Sequence, residues 1–151
     1  VLANDGVMAP VKIVAGEESF LEPEQVLRPD TAKAVRMMME KVVAPSGTGY
    51  MAAVDGYRVA GKTGTSKKAA QGGYSEDHYV AVFAGMAPAL NPKLVTVVMI
   101  NDPRGKEYYG GRVAGPVFSR VMSGALRQMN VPPDEWSDEA YQSVSHKEGD
   151  I

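Results

Sequence analysis

Two apolar, β-branched runs, Tyr79–Ala87 and Leu94–Ile100, are joined by a link of only Pro88–Lys93, with a proline near each end. Parallel neighbours need a crossover of about a dozen residues or more, so so short a link permits only an antiparallel hairpin. A third strand-like run, Tyr57–Thr65, precedes them. Its link to the second, Ser66–His78, holds Gly72-Gly73 and several charges, and reads as an exposed loop that includes His78. Helical patterns flank the three runs. Ala34, Val35, Met38, Met39 and Val42 recur at helical spacing, which predicts a helix capped by Asp30 or Thr31 and ending near Val43. Met37-Met38-Met39 falls within it as core filler. A second helix is predicted over Val113–Met129. Pro116 lies near its start, Val117, Val121, Ala125, Leu126 and Met129 share a face, and Asn130-Val131-Pro132 stops it. The order helix, three antiparallel strands, helix predicts an α+β architecture, an antiparallel sheet covered by helices. Upstream, Met8–Val14 alternates weakly as a short strand, and Glu17–Pro29, acidic and carrying two prolines, reads as a loop.

Charge and composition exclude several functions. Sixteen basic and 18 acidic residues leave a net charge of -2, which gives no electrostatic case for nucleic acid. No apolar run nears the ~20 residues of a membrane-spanning helix. Without cysteine there is neither a disulfide framework nor a thiolate metal site, and nothing calls for a metal or organic cofactor. Val1-Leu2-Ala3 reads as the last turn of a helix stopped by Asn4-Asp5-Gly6. The chain is therefore expected to be a piece of a longer protein. Residues 1–133 form its body, and 134–151, including His146, a polar tail.

The chemistry concentrates in Ala60-Gly61-Lys62-Thr63-Gly64-Thr65-Ser66-Lys67-Lys68. Strand alternation puts Lys62 and Gly64 on one face and Thr63 and Thr65 on the other. Gly64 lets a ligand backbone lie close to the strand. Lys62 supplies a point charge with three donors, suited to an anionic substrate or to proton transfer. A rival pattern overlaps it. Gly56 through Thr63 fits G-x-x-x-x-G-K-[ST], the phosphate loop, and Val97–Asp102 could pass for an apolar strand ending in a magnesium-binding Asp. A phosphate loop, however, needs a helix to begin at its Lys-Thr. Here a strand precedes Lys62, and a glycine-rich stretch without helical periodicity follows it.

Tyr57–Lys68, with its Lys-Thr-Gly, resembles the third active-site motif of penicillin-binding transpeptidases. The resemblance continues through Phe83-Ala84-Gly85-Met86-Ala87-Pro88, Val98–Pro103, Tyr108-Tyr109-Gly110-Gly111 and Ala114–Phe118, and covers roughly residues 1 to 133. It is to the C-terminal part of the class B, division-type enzymes. It implies the penicillin-binding/β-lactamase-like fold and a serine-type peptidoglycan D,D-transpeptidase. In such enzymes a serine attacks a D-alanyl-D-alanine bond, releases D-alanine and passes the acyl group to a neighbouring stem peptide, and β-lactams imitate the dipeptide. It implies a catalytic role for Lys62 beside the serine of the second motif, and half of an oxyanion hole from the Thr65 N–H. Thr63, Gly64 and Thr65, with Lys67, would hold the substrate or antibiotic carboxylate, and Tyr79, Tyr108 and Tyr109 would form an aromatic wall. It also implies an inner-membrane anchor outside this chain, a periplasmic catalytic domain, the remainder of the same domain as a partner, and membrane proteins of the division complex.

Two of the family's three motifs are missing. No serine has lysine three positions on, and there is no Ser-x-Asn. Because a Ser–Lys system acts as a unit, this segment alone is expected to be inactive. Two alternatives stand beside the transpeptidase reading. One is a nucleotide-binding enzyme using Gly56–Thr63. The other is a penicillin-binding fold kept only as an interaction module.

Overall fold

A computed structural model describes residues 1–10, 21–70 and 72–135. A two-residue ladder pairs β1, Val7–Met8, with β2, Glu24–Gln25. Helix α1, Pro29–Glu40, follows. The main sheet comprises β3, Ala60–Ala70, β4, Gly73–Ala87, and β5, Leu94–Asn101, antiparallel in that order. A single turn, α2, Gly110–Val113, leads into α3, Gly115–Gln128. The architecture is α+β, as the element order predicts.

The register sorts the sheet into two faces. Thr63, Phe83 and Val98 lie side by side, as do Lys62, Ala84 and Val97. On the first face, Phe83 meets Phe118 of α3 edge-on, with centroids 4.8 Å apart. Gly61 and Gly85 leave room for these rings, since a methyl at either position would collide with them. Met122 and Leu126 complete the fully buried ridge of α3, and Leu94, Val98 and Ile100 of β5 pack against it. The opposite face carries a smaller cluster, Ala60, Met86 and Ala89, with Leu2, Ala3 and Met39 against it. Toward β5 this face opens. Val95, Val97 and Met99 are 60–66% exposed.

Helix boundaries and faces depart from the periodicity. In α1 the capping residue is Arg28, Pro29 opens the first turn, and the helix ends at Glu40. Its buried residues are Ala32 and Arg36, whereas Ala34 and Met37 are exposed and Met38 is 69% exposed. Arg36 donates to Leu2 O and to Asp5 Oδ1, at 2.5 and 2.8 Å. A guanidinium needs acceptors, and the Leu2–Asp5 turn supplies them on the side that apolar spacing assigns to solvent. Of the three methionines only Met39 serves the core. In α3 the inward row is Phe118, Met122 and Leu126, while Val121 and Met129 are about half exposed. The larger ridge fits the notch at Gly85.

The supposed loop between the first two strands is a paired ribbon. β3 runs on to Ala70, β4 starts at Gly73, and the turn uses Gly72 at φ 91° and Gly73 at φ 151°, where glycine carries no steric penalty. Polarity alone suggested a loop, but backbone pairing needs no apolar side chains. The ladder slips once. Lys67 pairs with Tyr79 and Ala69 with Tyr74, so residues 75–78 face Lys68 alone. His78 thus belongs to β4. Tyr57–Val59 lies outside β3, and buried Tyr57 donates its hydroxyl to Val131 O at 2.6 Å.

At the N-terminus the turn is a 3-10 helix, Leu2–Asn4, ended by Asp5 and Gly6 at positive φ. The expected strand over Met8–Val14 is seen as Val7–Met8, and its residues 11–14 lie outside the described residues. Within Glu17–Pro29, read as a loop, Glu24–Gln25 is a strand and Pro29 is helical, and residues 17–20 are not described. The Asp134 carboxylate accepts the Arg58 backbone N–H at 2.8 Å, and the Glu135 backbone N–H donates to Gly56 O at 3.2 Å. Residues 136–151, His146 among them, lie outside the described residues.

Truncating the central ring tests the packing. Phe118→Ala is expected to cost about 3–5 kcal/mol of stability, read as a lower urea midpoint with unchanged slope.

Candidate active site

Among the described residues β3 is an edge strand, so along its outer side alternate N–H and C=O groups have no sheet partner there. The Lys-Thr-Gly-Thr segment sits in the middle of its ladder. Lys62 is exposed on the face shared with Ala84 and Val97, and its ammonium donates to Thr63 O at 2.6 Å. The two threonines turn to the other face. Thr63 Oγ1 lies 3.2 Å from Thr48 Oγ1, and Thr65 Oγ1 accepts the Gly110 N–H at 3.0 Å. A hydroxyl has one hydrogen and two lone pairs. With a lone pair of Thr65 Oγ1 engaged by Gly110, its hydrogen is free to be given outward, and Thr65 itself is exposed.

This contact depends on a bare backbone. A methyl on Gly110 would overlap Gly64 O and Val82 O, and one on Gly111 would overlap Thr48 O. The Tyr-Tyr-Gly-Gly segment therefore presses main chain against β3, β4 and the loop before the 3-10 turn Tyr50–Ala52. Chemically, the edge offers an exposed alcohol that already accepts from Gly110, an ammonium held on the Thr63 carbonyl and, among the described residues, strand amides without a sheet partner. These are the groups that bind an extended peptide-like ligand ending in a carboxylate.

The other residues singled out in the sequence fall around this edge. Lys67 is paired with Glu76, and that hydrogen bond pushes its ammonium above the usual range. Tyr79 stacks on Tyr108, with centroids 4.2 Å apart and planes 15° off parallel. Tyr109 lies against Tyr108 at 4.5 Å. Just beyond, His78 Nδ1 donates to Asp102 Oδ1 at 2.7 Å, and Arg104 holds the other carboxylate oxygen at 2.8 Å. The bond from His78, and then the Arg104 charge, hold the Asp102 carboxyl below its ordinary 3.8. Two concavities of about 660 and 460 Å³ lie elsewhere, lined by residues such as Val43, Arg58 and Asn130, and contain none of the site residues. The candidate site is an open edge on this chain.

Thr48 and Gly110 touch the candidate site, and sequence reasoning missed both contacts. Thr48 lay in a stretch read only as a flexible loop. Gly110 stood within a recognised motif, but nothing local to it indicates that its amide reaches Thr65. The phosphate-loop geometry is not formed: Lys62 and Thr63 lie within β3 and no helix begins there. Among the described residues no cluster of His, Asp and Glu suits a metal ion.

Comparison with known proteins gives one consistent relation. The model of the penicillin binding protein transpeptidase domain matches residues 1–123. The chain is similar to the peptidoglycan D,D-transpeptidase FtsI of Escherichia coli K12, at 45% identity over 139 residues, 88% of this chain and 22% of that protein. It is also similar to the probable peptidoglycan D,D-transpeptidase PenA of Neisseria flavescens, at 44% identity over 88% of this chain and 33% of the relative. Among solved structures, the apo transpeptidase domain of Burkholderia pseudomallei penicillin-binding protein 3 superposes with a TM-score of 0.77. It is 44% identical, over 88% of this chain and 40% of that one. The chain spans between about a fifth and a third of these curated relatives.

Two outcomes check the geometry. Gly110→Ala is expected to destabilise by about 1–3 kcal/mol through overpacking. Gly124→Ala, where a methyl meets nothing within 4 Å, is neutral or stabilising in the same denaturation assay. The Asp102 bond has a defined pH window. A depressed carboxyl pKa contributes stability above the unfolded value of 3.8, and that stability is lost as pH falls through the lower folded value. A carboxyl-carbon NMR titration should place Asp102 below 3.8, and His78→Ala should move it back up.

Proposed function

The chain belongs to the penicillin binding protein transpeptidase domain family, and from that premise we propose that it supplies the β3 half of the acyl-transfer site of a longer peptidoglycan D,D-transpeptidase. The observation that carries this is the edge itself: Lys62-Thr63-Gly64-Thr65 on a strand that pairs with β4 on one side and, among the described residues, is open on the other, with the Thr65 hydroxyl bonded to the Gly110 amide. The substrate is a stem peptide ending in D-Ala-D-Ala, which lies along β3 as an added strand. Thr63 and Thr65 give hydrogen bonds to its carboxylate, and Gly64 lets its backbone approach. Lys62 stands beside the Ser–Lys and Ser-x-Asn groups contributed from outside this chain, stabilising charge and relaying protons.

The reaction divides between the two halves. The serine oxygen bonds to the penultimate carbonyl carbon, and its proton leaves through the neighbouring amines. The Thr65 N–H then helps to hold the carbonyl oxygen as it becomes an anion, a role worth ~3 kcal/mol per donor in comparable sites. The C–N bond breaks and D-alanine departs carrying the proton. The amine of a second stem peptide takes the acyl group by the reverse sequence. A β-lactam acylates the same serine, and the Tyr79–Tyr108–Tyr109 wall packs against its side chain.

The partner closest at hand is the remainder of the same domain. The exposed face of Val95, Val97 and Met99 adjoins Lys62 on the sheet, and apolar surface of that kind is ordinarily covered. No helix among the described residues is long and apolar enough to cross a membrane. We place the domain in the periplasm, with the inner-membrane anchor and the contacts to division-complex proteins outside this chain.

The test is fluorescent penicillin and the full-length protein. Covalent labelling is expected, with Lys62→Ala lowering the acylation rate about 100-fold, the scale of a lost proton-transfer group, at unchanged folding. A folded full-length protein that takes up no label would refute the reading.

A further inference from the structure

The slipped part of β4, residues 75–78, ends in a histidine to which the acyl-transfer reading gives no task. Ser75 Oγ accepts the backbone N–H groups of Asp77 and His78, at 3.3 and 3.2 Å, and an irregularity of this kind re-aims the side chains it carries. The β4–β5 ladder ends at Val80 and Asn101, and the next residue, Asp102, is tied twice to β4. Its N–H donates to Tyr79 O at 2.8 Å, and its carboxylate accepts from His78 Nδ1 at 2.7 Å. Asp102 has φ 57°, a left-handed conformation that turns the chain out of β5. The charges around it are cationic: Arg104 on its second oxygen, and Lys68 from β3. The chain then returns with Tyr108 stacked on Tyr79. His78 and Tyr79 are neighbours in sequence, so the imidazole–carboxylate pair and the ring stack close one short circuit from its two ends.

We propose that His78 and Asp102 are positioning residues that hold Tyr79 against Tyr108 and so set how firmly the site grips the side chain of a ligand lying along β3. Neither touches the reacting atoms. The inference rests on the acyl-transfer reading above and adds a determinant of ligand specificity to it.

The test compares two β-lactams on the full-length protein: benzylpenicillin, and aminopenicillanic acid, the same bicycle without the aromatic side chain. His78→Ala is expected to weaken the non-covalent step for benzylpenicillin about fivefold, the scale of one aromatic contact. The acylation step itself, and both steps with aminopenicillanic acid, should stay within about twofold. His78→Asn keeps an N–H for the carboxylate and should restore binding. Asp102→Asn keeps a residue tolerant of the left-handed backbone and should show a partial loss. Equal losses on both compounds, no loss on either, or failure of His78→Asn to rescue would overturn the proposal. A ligand-free readout separates it from the acyl-transfer reading. His78→Ala should abolish the ring-current shifts between Tyr79 and Tyr108 in NMR spectra, and an unchanged stack overturns the positioning role. If the wild type is not acylated at all, the acyl-transfer reading falls instead, and the ring shifts alone decide the role of the pair.

Discussion

Main chain meets main chain where Gly110 reaches the sheet, and the candidate site depends on that contact. The Gly110 amide bonds to the Thr65 hydroxyl because Gly110 has no side chain to keep Gly64 O and Val82 O away. A neutral hydrogen bond adds only about 1 kcal/mol to stability. Its larger effect is directional, since it uses a lone pair of Thr65 Oγ1 and leaves the hydrogen to point elsewhere. The single turn α2 and the helix behind it, anchored by Phe118 against Phe83, keep that amide in place. Core packing on one face of the sheet thus sets the polar groups at its edge.

The same sheet shows why one side is closed and the other open. The glycine notches at Gly61 and Gly85 admit two aromatic rings, and α3 covers that face. The Lys62 face carries only a small cluster near Ala60 and Met86, and its β5 end is bare. An exposed ammonium beside exposed apolar side chains is poor design for a self-sufficient surface. It is coherent with the function proposed above, in which another part of a larger domain packs there.

Much of this was legible in the residues. The short link after Ala87 dictated the hairpin, and the apolar, β-branched run Leu94–Ile100 located β5 to within a residue. The Lys-Thr-Gly segment marked the candidate site, and its place within β3 rather than at a helix start was readable from the residues around it. What escaped was whatever depends on partners distant in sequence. Periodicity alone could not show that Arg36 would turn inward to meet Leu2 and Asp5, which left Met37 and Met38 in solvent. Nor could it show that a polar ribbon from Ser66 to His78 would pair, because its pairing is made by backbone and a Gly72-Gly73 turn. Thr48 and Gly110 were missed for the same reason, as each acts on a threonine across a large sequence separation.

The most direct measurement is a crystal structure of the full-length protein acylated by a β-lactam. The account predicts the antibiotic lying antiparallel to β3, its carboxylate within hydrogen-bond reach of the Thr65 hydroxyl and its acyl oxygen on the Thr65 N–H. A covalent adduct whose carboxylate is held by other residues, with the β3 edge left vacant, would contradict it.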